Sequence, residues 1–164
     1  MSNLFLDSGA TFSEDRKYRS LLWRIWDNSM PLLCVVLLNP SVAAEEESDS
    51  TVTRQIERAH RMGCGGLLVV NAYDFVSTDP KYMKAQDVPS SLENDAAILA
   101  ACKRAVDSGG MVICGWGGNC TQARHNELVR LLQGIPLHAL KVNADGSPQH
   151  PLYLGYSVQP VRWP

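Results

Sequence analysis

Leu32-Leu33-Cys34-Val35-Val36-Leu37-Leu38-Asn39-Pro40-Ser41 is the stretch on which the fold reading turns. Seven apolar residues run without interruption and stop at a polar turn, the pattern of a strand buried on both faces and typical of a central parallel strand. The pattern recurs. Leu67-Leu68-Val69-Val70 stops at Asn71, Met111-Val112-Ile113-Cys114 stops at Gly115-Trp116-Gly117-Gly118, and Leu137-His138-Ala139-Leu140 reads as a fourth strand.

Helical spacing fills the intervals. Asp49 or Ser50 can cap a helix carrying Val52, Ile56 and Ala59, with Gly63 as its stop. Ser90-Ser91-Leu92-Glu93 fits a capping box ahead of Ile98, Leu99, Cys102, Ala105 and Val106, which run to the Ser108-Gly109-Gly110 break. A third helix spans Thr121 to Gln133 and ends at Gly134. Tyr73 to Pro89, with two prolines and no clean period, reads as a long loop or lid. Glu45-Glu46-Glu47 reads as a solvated run. The alternation predicts an α/β protein of three layers, a mostly parallel central sheet flanked by helices. One domain over 1–164 is expected, with a strand or hairpin region at 1–31 and a core at about 32–154.

Composition sets the outer limits. The chain has 164 residues, 45% of them hydrophobic and 20% charged, enough apolar material for a core and against wholesale disorder. A formal net charge of −2 excludes a general polycation that would grip any phosphate backbone. The charge is uneven: up to Asp95 fourteen acidic residues face nine basic ones, and from Ala96 on three face six. Five irregularly spaced cysteines make a poor disulfide framework, and Cys34, Cys102 and Cys114 sit in apolar runs as small hydrophobes. Neither a leader nor a run of about 18 apolar residues is present, so a cytoplasmic protein without a membrane partner is expected. No phosphate-binding loop, dinucleotide fingerprint or paired metal-ligand spacing occurs, so neither a cofactor nor a metal is expected. His60 and His125 fall in helices and read as surface residues.

In open α/β sheets, residues just past successive strand ends meet at one edge, where ligands bind. That rule selects Asn39, Asn71 and Trp116, together with His150 in the tail segment.

Two resemblances build on these positions. Leu38-Asn39-Pro40-Ser41, Asp49-x-Thr51-x-x-Arg54, Val70-Asn71, Ser77-Thr78-Asp79-Pro80, Asn94-Asp95, Trp116-Gly117 and His150-Pro151-Leu152 together resemble the domain-of-unknown-function family 1643, from about Tyr18 to Leu154. The order of landmarks is also similar to the uracil-DNA glycosylase superfamily. Leu37-Leu38-Asn39-Pro40 sits where that superfamily has its first motif, and Leu68-Val69-Val70-Asn71-Ala72 resembles the strand ending in its base-recognising asparagine. Cys114-Gly115-Trp116-Gly117 and His150-Pro151-Leu152 resemble its later motifs. Leu37 and Leu152 stand where the superfamily has glycine and serine, and Asn39 is not the carboxylate of its most active branch.

The second resemblance implies N-glycosidic hydrolysis at a nucleobase, in nucleic acid engaged locally or in a nucleotide. Such cleavage builds positive charge on the sugar and negative charge on the departing base. Asn39 would then orient water, His150 would donate to the base oxyanion, and Asp49 is a candidate base. Asn71 would read the base edge with donor and acceptor together. Tyr73, Phe75 and Trp116 are candidates for base contacts, Pro40 and Ser41 for substrate binding, and Arg54 for a phosphate. The alternative is a module that binds a nucleotide or modified base in the same place without turnover.

Overall fold

A computed structural model describes residues 5–41 and 49–164. The acidic run Glu45-Glu46-Glu47 lies outside the described residues.

The uninterrupted apolar run forms β3 (Leu32–Leu37), buried at every position. β4 (Gly66–Asn71) is buried throughout as well and lies parallel to it, in register from Leu32 opposite Gly66 to Leu37 opposite Asn71. β5 (Met111–Cys114) flanks β3 on its other side, and β6 (Leu137–Ala139) flanks β5, both parallel. Three further strands extend this core antiparallel. β2 (Arg19–Ile25) pairs with β4, β1 (Asp7–Phe12) pairs with β2 in a hairpin, and β7 (Val161–Arg162) pairs with β6. The sheet order is β1-β2-β4-β3-β5-β6-β7. The expected mostly parallel sheet is therefore corrected to a mixed one. A hairpin turn returns the chain from β1 into β2, which therefore runs antiparallel to its predecessor, and β7 comes back antiparallel to β6 only after the excursion over residues 140–160.

Strand alternation sorts the core into two layers. Leu33, Val35 and Leu37 of β3, with Leu67 and Val69 of β4, face the helix α1 (Ser50–Arg61), which contributes Val52 and Ala59. Cys34, Val36 and Leu38, with Leu68 and Val70, face α3 (Asn94–Asp107) and α4 (Gln122–Leu131) through Ile98, Cys102, Ala105 and Leu128. Each fully buried Val or Leu contributes about 1.5–3 kcal/mol relative to exposure, so burial on both faces makes β3 and β4 the centre of the core.

The cap at Asp49 forms as expected, its carboxylate accepting the Val52 N–H at 2.9 Å, and Gly63 follows the helix at φ +76°. The capping box at Ser90–Glu93 does not form. Ser91 gives both its N–H and its hydroxyl to the buried Asp74 carboxylate, and Glu93 makes no cap bond. The expected long loop contains the short α2 (Pro80–Lys84), capped by Asp79, and Phe75 bridges back to Tyr18. His125 is half-buried, because its Nδ1 accepts the Trp116 indole N–H at 3.2 Å, whereas His60 is exposed and stacks on Trp26. Cys34, Cys64, Cys102 and Cys114 are buried free thiols. Among the described residues, no helix is long and apolar enough to cross a membrane.

Candidate functional site

The chain runs from β3 through α1 to β4 on one side of β3, then crosses to β5 on the other, so the connection direction reverses at the C-terminal end of β3. A ligand crevice is expected at such a point. A cavity of about 680 Å³ lies there, inside the range of about 300–1,000 Å³ usual for small-molecule sites. Asn39, Pro40, Ser41, Asp49, Asn71, Trp116 and His150 all line it.

Each arrives by a different local device. Asn39 follows β3 directly, and its Nδ2 donates to the carbonyls of Ser77 at 2.7 Å and Pro40 at 3.1 Å. Both amide hydrogens are thereby committed, and Oδ1 is the group the side chain can offer to a ligand or water. Asn71 ends β4 on the same face as Leu67 and Val69. It is 1% exposed, and its Nδ2 has no hydrogen-bond partner among the described residues. A buried unpaired amide donor costs about 1–3 kcal/mol, so its place on a cavity wall is chemically informative. The backbone beneath it is rigid: Asn94 Nδ2 donates to the Asn71 carbonyl at 2.9 Å, and Arg124 Nε to the Ala72 carbonyl at 2.8 Å.

His150 is delivered by a long excursion after β6. The excursion closes as a small ribbon through the Val142–Pro148 bridge and the Gln149 N–H bond to the Lys141 carbonyl at 2.8 Å. Gly117, at φ +74°, then donates its N–H to the Pro148 carbonyl at 2.8 Å. Pro151 packs on Gly115, where an added Cβ would lie 2.7 Å from the proline Cδ. His150 caps the 3-10 turn Pro151–Tyr153, its Nδ1 accepting the Leu152 N–H at 3.2 Å. An accepting Nδ1 places the proton of the neutral ring on Nε2, which is therefore the donor. Burial pushes the His150 pKa below its ordinary value, and the nearby Asp49 charge partly opposes this.

The remaining sequence candidates stand elsewhere or act differently. Arg54 is not in the lining: it donates to the Leu154 carbonyl at 2.9 Å, beside Arg58, which donates to the same oxygen at 3.0 Å. These two helix side chains anchor the segment that carries His150. Tyr73 and Phe75 are buried on the α3 side. The Tyr73 hydroxyl meets Thr121, and the Phe75 ring lies against Tyr18 and Tyr82. Trp116 belongs to the wall but is 0% exposed, since alternation sends it with Val112 and Cys114 into the α3 and α4 layer. Asp49 faces the cavity with one carboxylate oxygen already held by its helix.

Arg19 was not selected by the sequence reading. It is 2% exposed, lines the cavity at the start of β2, and burial lowers its pKa to about 10, with Asp49 acting in the opposite sense. An arginine in an aromatic and branched strand carries little signal until the antiparallel direction of β2 brings its start to this edge. Asn119, Asn143 and Gln149 also line the cavity.

A family model described as a protein of unknown function, DUF1643, matches residues 19–152. The chain belongs to the DUF1643 family. The match begins at Arg19 and ends at Leu152, both in the cavity wall. No curated protein and no solved structure matches the chain.

Proposed function

We propose that this member of the DUF1643 family recognises a nucleobase in the cavity and hydrolyses its N-glycosidic bond. The observation that carries the reading is that Asn39 and Asn71, from two strand ends, and His150, from the segment ahead of the 3-10 turn, line one cavity with complementary hydrogen-bonding atoms. The similarity of their motifs, in order, to the uracil-DNA glycosylase superfamily supports the same reading. In it, Asn39 Oδ1 accepts a hydrogen bond from the attacking water and holds it against the anomeric carbon. The water oxygen bonds to that carbon as the bond from the carbon to the base nitrogen breaks; the electron pair leaves with the base, His150 Nε2–H stabilises the oxyanion that forms, and the proton shed by the water passes to solvent and from it to the base anion. Asn71 Nδ2 donates to a carbonyl on the base edge, which satisfies the buried donor.

Incubation with modified and mismatched oligonucleotides, free nucleosides and nucleotides, followed by chromatography of released base, tests this. Release that falls in the Asn39→Ala variant is expected. Absence of release from every compound, with ligand binding unaffected by Asn39→Ala, refutes it.

One observation favours a binding module without turnover. Asp49 is the carboxylate among the described lining residues, and its Oδ1 is engaged by Val52 N–H, which weakens it as a base. Turnover abolished by His150→Ala at unchanged ligand affinity would eliminate that alternative.

A further inference from the structure

We infer that the cavity takes a free nucleoside, with its sugar hydroxyls held by Asn119, Asn143 and Gln149, in preference to a nucleic-acid strand. The inference rests on the nucleobase reading above and narrows it to a substrate class.

Three features of the wall lead there. The first is its polar chemistry. Five carboxamides line the cavity, and beyond Asn39 and Asn71 the other three belong to the β5 exit loop and the ribbon leading to His150. Asn119 is exposed at the rim, and Asn143 spends one amide hydrogen on Ser147 Oγ at 3.0 Å, which leaves its amide oxygen and its second hydrogen to offer. Carboxamides pair with hydroxyls as both donor and acceptor, which suits a sugar. Asn71 supplies the independent sign of a ligand, a buried and unpartnered donor in the same wall.

The second feature is charge. Among the described lining residues Arg19 is the cationic side chain and Asp49 the anionic one, while His150 is held towards its neutral form. These two charges cancel, and a neutral ligand fits that balance. The third is the lack of a phosphate track. Strand binding draws on Lys and Arg contacts along the backbone. No exposed Lys or Arg lines the cavity among the described residues. The volume of about 680 Å³ accommodates base and sugar together.

Calorimetric titration of the full chain with uridine, cytidine, adenosine and guanosine, their free bases, their 5′-monophosphates and mixed-sequence single-stranded DNA and RNA decides the matter. At least one nucleoside should bind about tenfold tighter than its free base, the equivalent of about 1.4 kcal/mol. That affinity should change less than about twofold between 50 and 200 mM salt, whereas binding through six to ten phosphates would lose about 10³-fold or more. Asn119→Ala and Gln149→Ala should each narrow the gap between nucleoside and free base, with thermal stability nearly unchanged. A free base that binds as tightly as its nucleoside, or a strand that binds tighter with steep salt dependence, overturns the inference and leaves nucleobase recognition standing. If no nucleobase compound of any kind binds, the inference and the proposed function fall together.

Discussion

Asn39 and Ser77 form a clasp between the β3 exit and the loop ahead of α2: Asn39 Nδ2 donates to the Ser77 carbonyl at 2.7 Å, and Ser77 N–H donates to the Pro40 carbonyl at 2.8 Å. The clasp determines which end of the Asn39 amide faces the cavity. Two backbone carbonyls hold the nitrogen, so a water at this position finds an acceptor.

Asn39→Asp is expected to damage stability as well as turnover, although it supplies a carboxylate where the most active glycosylases of the resembling superfamily have one. Both carbonyls would lose their donor and meet a negative charge, at a cost of about 1–3 kcal/mol. Repulsion raises the introduced carboxyl's pKa in the folded state, so the folded chain binds the proton more tightly than the unfolded one. Stability relative to wild type should thus be greatest below the unfolded aspartate value of about 3.9 and fall as pH rises through the folded value. Urea unfolding at several pH values checks this, and an equal loss at every pH would show that the clasp does not act through charge.

Arg58 and Arg61 differ by one turn of α1 and offer a comparison within a single helix. Arg58 is 2% exposed and donates to the Leu154 and Gly155 carbonyls, whereas Arg61 pairs with Glu57 at the surface. Arg58→Met should destabilise the protein by about 1.5 kcal/mol, the lower end for a charged hydrogen bond, because the part-buried Leu154 carbonyl keeps its bond from Arg54 while that from Arg58 is lost. Arg61→Met should cost about 0.5 kcal/mol or less, as exposed i,i+4 pairs do. Denaturant midpoints measure both, and equal midpoints would remove the anchoring role assigned to Arg58.

The contrast between these arginines also shows what the sequence could disclose. The strands β3, β4 and β5 were legible because unbroken apolar runs have few other uses, and the helices because Asp49, Thr121, Gly63 and Gly134 punctuate them. Asn39 and Asn71 were legible because position after a strand is a matter of order along the chain, and His150 because of its motif with Pro151 and Leu152. Side-chain commitments were not. Arg54 reads as a phosphate ligand until the Leu154 carbonyl is placed beside it, and Trp116 reads as a substrate contact until alternation turns it into the α3 layer. β7 is two exposed residues paired with β6, and it carries no periodicity to read. The antiparallel direction of β2, which brings Arg19 to the cavity, depends on tertiary pairing with β4.

Gly115→Ala should act on the site more than on the fold. A Cβ there would stand 2.7 Å from Pro151 Cδ, so the segment carrying His150 must shift, at about 1–3 kcal/mol for overpacking. Gly134→Ala is the control. Its Cβ would meet nothing within 4 Å, and its φ of +88° costs about 1–2 kcal/mol of backbone strain. Ligand affinity should drop in the first variant and hold in the second, and an affinity equal to wild type in Gly115→Ala would mean that the Pro151 contact does not position His150.

His150 governs the acid side of the pH profile. Burial lowers its folded pKa, and Asp49 partly restores it. Between the folded value and the ordinary value of about 6.5 the unfolded chain binds more protons, so His150 makes stability fall as pH drops through about 6.5 and continue falling to the folded value. Protonation also places a hydrogen on Nδ1, which then can no longer accept the Leu152 N–H, and the 3-10 turn loses its cap. The ring should accordingly remain neutral with its proton on Nε2 at pH 6.5, and base release should decline only at lower pH. Asn caps helices as well as Asp does, so Asp49→Asn keeps the α1 start while removing the charge. It should move the His150 titration lower still and carry the acid limb of activity with it. Histidine-resolved NMR titration reads both shifts, and a His150 pKa above about 6.5, or one indifferent to Asp49→Asn, would contradict the electrostatic arrangement of the cavity.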